Sequence, residues 1–133
     1  MSGVGIGIGE RRLAPGEAAR VMAKYPEKVP VVVIRANGAR ASMPELKKWK
    51  YVVPRDLTMG QFMYLLRRHM TLPPEEALFL FVGNMLVPGS ERIVDVWSRY
   101  RSEDGALHVV YSGESAFGES RHTGSQSPES AFG

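Results

Sequence analysis

The residues that could do chemistry are few, and most stand in the wrong company for it. The chain has no cysteine, which removes thiolate nucleophiles, cysteine-based zinc sites and any disulfide framework, and fits a reducing compartment. His69, His108 and His122 fall on different segments without metal-ligand spacing, so surface or helix-end positions explain each better than a metal does. Glu75-Glu76 follow Pro73-Pro74 and are expected in the first turn of a short helical segment, where acids favour the helix dipole, not in an acid/base pair. Neither G-x-x-x-x-G-K-S/T nor G-x-S-x-G occurs, and the alternating glycines at 3 to 9 do not follow a strand as a dinucleotide fingerprint must. No catalytic residue, metal or cofactor is expected, and the chain reads as a non-enzyme.

What remains is a pentapeptide, ESAFG, at Glu114 to Gly118 and again at Glu129 to Gly133. Glycine has no Cβ, so its carbonyl can enter a narrow catalytic cleft if the chain around it extends freely. Residues 119–133 hold four serines, two glycines and a proline, with no apolar residue before Ala131. They are expected to form no packed element. Gly118 stands seven residues past Tyr111, the end of the last expected strand, whereas Gly133 stands more than twenty past it, which favours Gly118 as the chemical handle.

The elements that must position this handle follow from periodicity. GEAARVMAKY sets Ala18, Val21, Met22 and Tyr25 on one helical face before Pro26, and VPVVVIR (29 to 35) is a β-branched strand. A loop spans Ala36 to Ser42, and KYVVP (50 to 54) is a second strand. Thr58 and Gln61 make a capping box for a helix carrying Phe62, Leu65, Leu66 and His69. ALFLFV (77 to 82), a tight turn at Gly83-Asn84 and MLV (85 to 87) form a hairpin. Ser90 is expected to cap a helix with Ile93, Val96, Trp97 and Tyr100 on its core side, and ALHVVY (106 to 111) closes the domain. The expected organisation is a flexible Gly-rich arm at 1–15, a folded domain at 16–111, a tail at 112–118 and a disordered extension at 119–133. The fold class is α+β with one sheet and a central helix.

At 133 residues with 44% apolar content, the chain can bury an ordinary core. No apolar run is long enough to cross a bilayer, and MSGVGIGIGE lacks the basic start of a signal peptide, so a cytoplasmic location is expected. Residues 11–68 carry 13 Lys/Arg against 4 Asp/Glu, and 69–118 carry 3 against 7. A basic half suits acidic partners. Nucleic acid is the less favoured of these, because no RNP-like aromatic motif accompanies the charge.

KYPEKVPVVV, KYVVPRDLTMGQF, ALFLFV and SEDGALHVVYSGESAFG together resemble the autophagy-related protein eight family of ubiquitin-like modifiers, which includes the GABA-receptor-associated protein and the microtubule-associated protein light chain. The resemblance covers about residues 11 to 118. It implies a ubiquitin-like β-grasp fold, with one mixed sheet, a central helix and an N-terminal helical extension. It also implies a chain that a cysteine protease cuts between Gly118 and Glu119. Activating and conjugating enzymes then join Gly118 to phosphatidylethanolamine on autophagosomal membranes, with the vacuole or lysosome as the later destination.

The resemblance further implies docking of acidic-flanked, aromatic-x-x-aliphatic peptides of cargo receptors by strand addition. Glu17, Val21, Pro30, Lys48 and Val52 match the aromatic pocket, and Tyr51, Val53, Pro54, Leu57, Phe62 and Leu65 match the aliphatic one. Lys24, Lys28, Lys48 and Lys50 would meet the peptide's acids. For each apolar residue a plain core role competes, since strands and helices need such residues anyway. Three departures matter: Ala106 replaces an aromatic after Glu-Asp-Gly, His69 stands where arginine is usual, and a glycine arm replaces the aromatic-containing N-terminal helix. Trp49 and the loop from Ala36 to Lys48 resemble the sister family, autophagy-related protein twelve, whose members are joined to a lysine of a partner protein. That is the alternative to a lipid conjugate.

Overall fold

In the computed structural model the described residues are 11–37 and 43–114; the glycine arm, the tip of the first loop and the tail beyond Glu114 lie outside them. The order is α1 (Glu17–Lys24), β1 (Lys28–Arg35), β2 (Lys50–Pro54), α2 (Met59–Met70), β3 (Phe79–Val82), β4 (Met85–Leu86), α3 (Ile93–Tyr100) and β5 (Leu107–Ser112). One five-stranded sheet runs β2-β1-β5-β3-β4. β1 and β5 are parallel, with Val31 opposite Leu107, and every other pair is antiparallel. This is the mixed sheet with helices expected of a β-grasp.

β1 takes the centre because its run of β-branched residues is buried on both faces, from Val29 to Ile34. Such a strand reads as continuously apolar, not alternating. Pro30 is tolerated because the ladder to β5 begins one residue later, at Val31, so its missing N–H leaves no ladder bond unmade. α2 begins at the capping box as expected: Thr58 Oγ1 accepts from Gln61 N at 3.1 Å, and Gln61 Oε1 accepts from Thr58 N at 2.9 Å. The starts of α2 and α3 are also stitched together, Met59 N to Glu91 O and Ile93 N to Leu57 O. The main core lies on the α2/α3 face, around Phe62, Leu66, Ile93, Val96, Leu107 and Val109. Burying a side chain of this size contributes about 1.5–3 kcal/mol.

Several expectations fail for physical reasons. Ser90 does not cap α3; Arg92 holds the N-cap position without a side-chain bond, because the backbone tie to Leu57 already satisfies the first donor. Tyr100 is exposed, not core-facing, and is the last residue of an α3 that lasts only eight residues. Glu75-Glu76 lie in a turn, and β3 begins at Phe79, not Ala77. The loop after β1 does more than connect. Met43 and Leu46 are buried, the Tyr111 hydroxyl donates to Pro44 O at 2.9 Å, and it accepts from Leu46 N at 3.1 Å.

A second, smaller cluster on the opposite face joins Leu13, Ala18, Val32, Ile34 and Ala106. Gly105 permits it: its φ is +89°, and a Cβ there would stand 2.5 Å from the Ala18 Cβ. Leu13, placed in the arm by sequence, is buried in this cluster, and its N–H donates to Asp104 Oδ2 at 2.8 Å. Asp104 also accepts from Ala106 N at 3.0 Å and lies 2.8 Å from His108 Nε2. Burial pushes this carboxyl up, but the bonds from Ala106, Leu13 and His108 outweigh it and hold it below its ordinary value. A depressed carboxyl stabilises the fold above its unfolded value and loses that contribution as pH falls through the folded value. Asp104→Ala is therefore expected to cost about 1–3 kcal/mol at pH 7. In urea titrations, the gap from the parent should close as pH drops below the ordinary carboxyl value of 3.8.

Candidate functional site

β2 ends the sheet on one side. Val33 N donates to Trp49 O at 2.8 Å, so the hydrogen-bonded pairs with β1 are those of Trp49, Tyr51 and Val53. Lys50 and Val52, between them, point both N–H and C=O away from the sheet. Pro54 ends the row because it has no N–H. This edge can accept a further strand over a short, defined length.

The side chains alternate about that edge, exposed at Lys50, Val52 and Pro54 and buried at Tyr51 and Val53. Val52 is 36% exposed and stands opposite the buried Pro30 of β1, while Val21 of α1 is half-buried. Glu17 is held there: its carboxylate accepts from Ala14 N at 2.8 Å and from Lys50 Nζ at 3.0 Å. These two partners, Ala14 first, keep its carboxyl below the ordinary value. Lys24 and Lys28 flank the ring of Tyr25 at 5.5 and 5.4 Å. Sequence periodicity put Tyr25 on the core face of α1, yet it is 36% exposed, because the helix stops one residue before it.

On the α2 side the arrangement is tighter than the sequence suggested. Phe62 is wholly buried, and Tyr51 and Val53 are 4% and 3% exposed, so all three belong to the core and offer a ligand almost no surface. Tyr51 meets Phe62 edge to face, with centroids 5.7 Å apart, and stacks against His69 at 5.9 Å. Its hydroxyl lies 3.3 Å from His69 Nδ1, and burial, then the neighbouring Tyr111, push the phenol above its ordinary value. The Lys48 ammonium stands 4.8 Å over the same ring. Lys48 and His69 thus close the space over Tyr51, while Leu57 and Leu65, partly buried against the core, and exposed Pro54 form the accessible wall.

Among the described residues, Lys24, Lys28 and Lys48 have no carboxylate partner. Three unpaired ammonium groups beside an open strand edge make a surface suited to an extended acidic segment. Ala106 is fully buried beneath the α1 side. Trp49, half-buried against its cluster, carries Arg11 at 5.7 Å and Lys50 at 5.2 Å over its ring. Sequence reasoning treated Trp49 as a family marker; its contact role emerges from the pairing of β2 with β1. Gly118, Glu119 and the second ESAFG copy lie outside the described residues. Among those described, no group of acidic and histidine side chains could hold a metal ion.

The division of β2 into floor and surface has a measurable consequence. Tyr51→Ala should cost about 3–5 kcal/mol of stability, as for other buried aromatics, and Val52→Ala less than about 0.5 kcal/mol. Urea unfolding curves for the two variants check this directly.

The comparisons with known proteins agree with the fold. Residues 12–118 match the family model described as autophagy protein Atg8 ubiquitin like. Autophagy-related protein 8d of Arabidopsis thaliana is 44% identical over 109 residues, 82% of this chain and 88% of that protein. Autophagy-related protein 8 of Pichia angusta is 41% identical over 110 residues, 83% and 85% of the two chains. The crystal structure of Trypanosoma brucei ATG8 superposes with a TM-score of 0.70 at 37% identity, covering 77% of this chain and 87% of the other. Plasmodium falciparum Atg8, solved in complex with a Plasmodium falciparum Atg3 peptide, gives 0.69 at 32% identity, covering 77% and 89%. The mixed sheet, the capped central helix and these matches together establish that the chain belongs to the Atg8 family of ubiquitin-like autophagy proteins.

Proposed function

We propose that this chain is a lipid-conjugated autophagy modifier: it is cut between Gly118 and Glu119, joined through the Gly118 carboxylate to phosphatidylethanolamine, and used on autophagosomal membranes to recruit cargo receptors. The observation that carries this reading is the reach of the family match, which runs through the whole domain and ends at Gly118, the glycine of the first Phe-Gly. Among the described residues no helix is long and apolar enough to cross a membrane, so attachment to a bilayer is assigned to the lipid. The chain itself acts as a substrate and an adaptor, not an enzyme. A cysteine protease, an activating enzyme and a conjugating enzyme supply the chemistry; the conjugating partner is supported by the Plasmodium relative solved with an Atg3 peptide.

Cargo docking is assigned to β2. An acidic-flanked, aromatic-x-x-aliphatic peptide adds a strand to the outward N–H and C=O of Lys50 and Val52, and its acids meet Lys24, Lys28 and Lys48. Its aromatic side chain lies toward Val52, Val21 and Pro30. Its aliphatic one lies toward Pro54, Leu57 and Leu65, and can go deeper only if Lys48 moves off Tyr51.

Two variants separate the halves of this reading. Gly118→Ala should abolish both cleavage and conjugation in cells that carry the conjugation enzymes; continued conjugation, through Gly133, contradicts the assignment of the handle. Val52→Pro removes one outward donor without touching the β1 ladder. It should leave the urea midpoint almost unchanged while weakening peptide binding about tenfold, as expected for roughly 1.4 kcal/mol of lost strand addition. Val52→Ala serves as the control that keeps the donor, and equal peptide affinity in both variants would contradict docking at this edge.

A further inference from the structure

Two basic side chains stand against the buried Tyr51 ring. The His69 imidazole stacks on it with centroids 5.9 Å apart and planes at 26°, and the Lys48 ammonium lies 4.8 Å from its centroid. Tyr51 and Phe62 are buried, whereas His69 is exposed. The polar groups that an arriving peptide meets on this side of β2 are therefore the imidazole and the ammonium, not the phenol.

Imidazole is the side chain whose charge ordinarily changes near pH 6.5. The titratable and charged groups around His69 are neutral or cationic: Lys48 before β2, the Tyr51 phenol of β2 with the Tyr111 phenol of β5 near it, and Arg67 and Arg68 on its own helix. Arg67 is turned to Pro73 O at 2.9 Å, and Arg68 lies over the Tyr64 ring. Among the described residues the histidine paired with a carboxylate is His108, not His69, so a positive charge gained at His69 is left for a ligand to answer. The last turn of α2 tolerates that charge, because its outward carbonyls favour a cation. The contact with Tyr51 tolerates it too. The hydroxyl lies 3.3 Å from His69 Nδ1, and burial keeps it protonated, so it can donate to the neutral ring or accept from the charged one.

Given strand addition at β2 as proposed above, we infer that His69 makes docking pH-sensitive, so that acidic peptides bind more tightly once its ring is charged. Two effects run the same way. The charged ring adds a cation to those of Lys24, Lys28 and Lys48, and the peptide's acids favour that charge, so binding takes up a proton and tightens as pH falls. The charged ring also repels the Lys48 ammonium that shares Tyr51 with it, which frees the space over Tyr51 for the peptide's aliphatic side chain. An exposed ion pair is a modest gain, which sets the change at about threefold in affinity. The peptide's own carboxylates stay ionised above about pH 5.5, so they do not offset it.

The test is isothermal titration of the full chain, at constant ionic strength, with a histidine-free peptide that has blocked ends and Asp/Glu residues before an aromatic-x-x-aliphatic core. The parent should bind about threefold more tightly at pH 5.5 than at pH 7.5, with proton uptake read as a dependence of the heat on the buffer. His69→Gln, whose amide oxygen can still accept from the Tyr51 hydroxyl, should bind with one affinity at both pH values, close to the parent's at pH 7.5. His69→Lys, charged throughout this range, should also show one affinity, tighter than that of His69→Gln. His108→Gln should keep the parent's dependence. Because His69 is exposed, both variants there should keep urea midpoints near the parent's. Equal parent affinity at the two pH values, or the same dependence in the parent and His69→Gln, would overturn the inference and leave docking at β2 standing. Absence of binding at either pH would overturn both.

Discussion

Everything in this domain hangs on the parallel pairing of β1 with β5. Residues distant in sequence meet there, Val31 with Leu107 and Arg35 with Tyr111, and each strand is closed on its other side by an antiparallel neighbour. A parallel pair needs a long crossover, and the crossover here contains β2, α2, the β3–β4 hairpin and α3. Once it is made, β1 is buried on both faces, β2 is left at one edge and β4 at the other. The pairing also draws Tyr111 under the first loop, where its hydroxyl bonds Pro44 and Leu46.

The functional geometry is a consequence of that closure. β2 is bound on its inner side through Trp49, Tyr51 and Val53, so only Lys50 and Val52 have backbone to offer. The same alternation that sends Tyr51 and Val53 into the core puts Lys50, Val52 and Pro54 on the surface. In the proposed docking, a ligand would read backbone and rim, with the lysines supplying the long-range attraction that speeds encounter and selects acidic partners. At the other end of the same closure, β5 stops two residues before Glu114, the last of the described residues.

Much of this was legible in the sequence. The β-branched run of β1, the Thr58–Gln61 capping box and the glycine-linked hairpin each declare a local structure through a local cause, and the structure has all three. Tyr51, Val53 and Phe62 were legible only as apolar residues shared between a core and a pocket, because the choice depends on which strand edge is free, a matter of long-range pairing. The burial of Met43 and Leu46 was invisible for the same reason: they have no periodicity, and what fixes them is a tyrosine more than sixty residues away. Ser90 was misread because a good cap residue predicts a helix start only where the backbone is not already tied, as it is by Leu57. The exposure of Tyr25 and Tyr100 goes with their places at the ends of α1 and α3, which periodicity does not locate.

The most direct test of the central claim is the intact mass of an N-terminally tagged chain recovered from starved cells of its own organism, with soluble and membrane fractions kept apart. The account predicts a membrane form that ends at Gly118 and is heavier by one ethanolamine phospholipid. An uncut chain in both fractions, or a chain joined through glycine to a protein lysine, would contradict it.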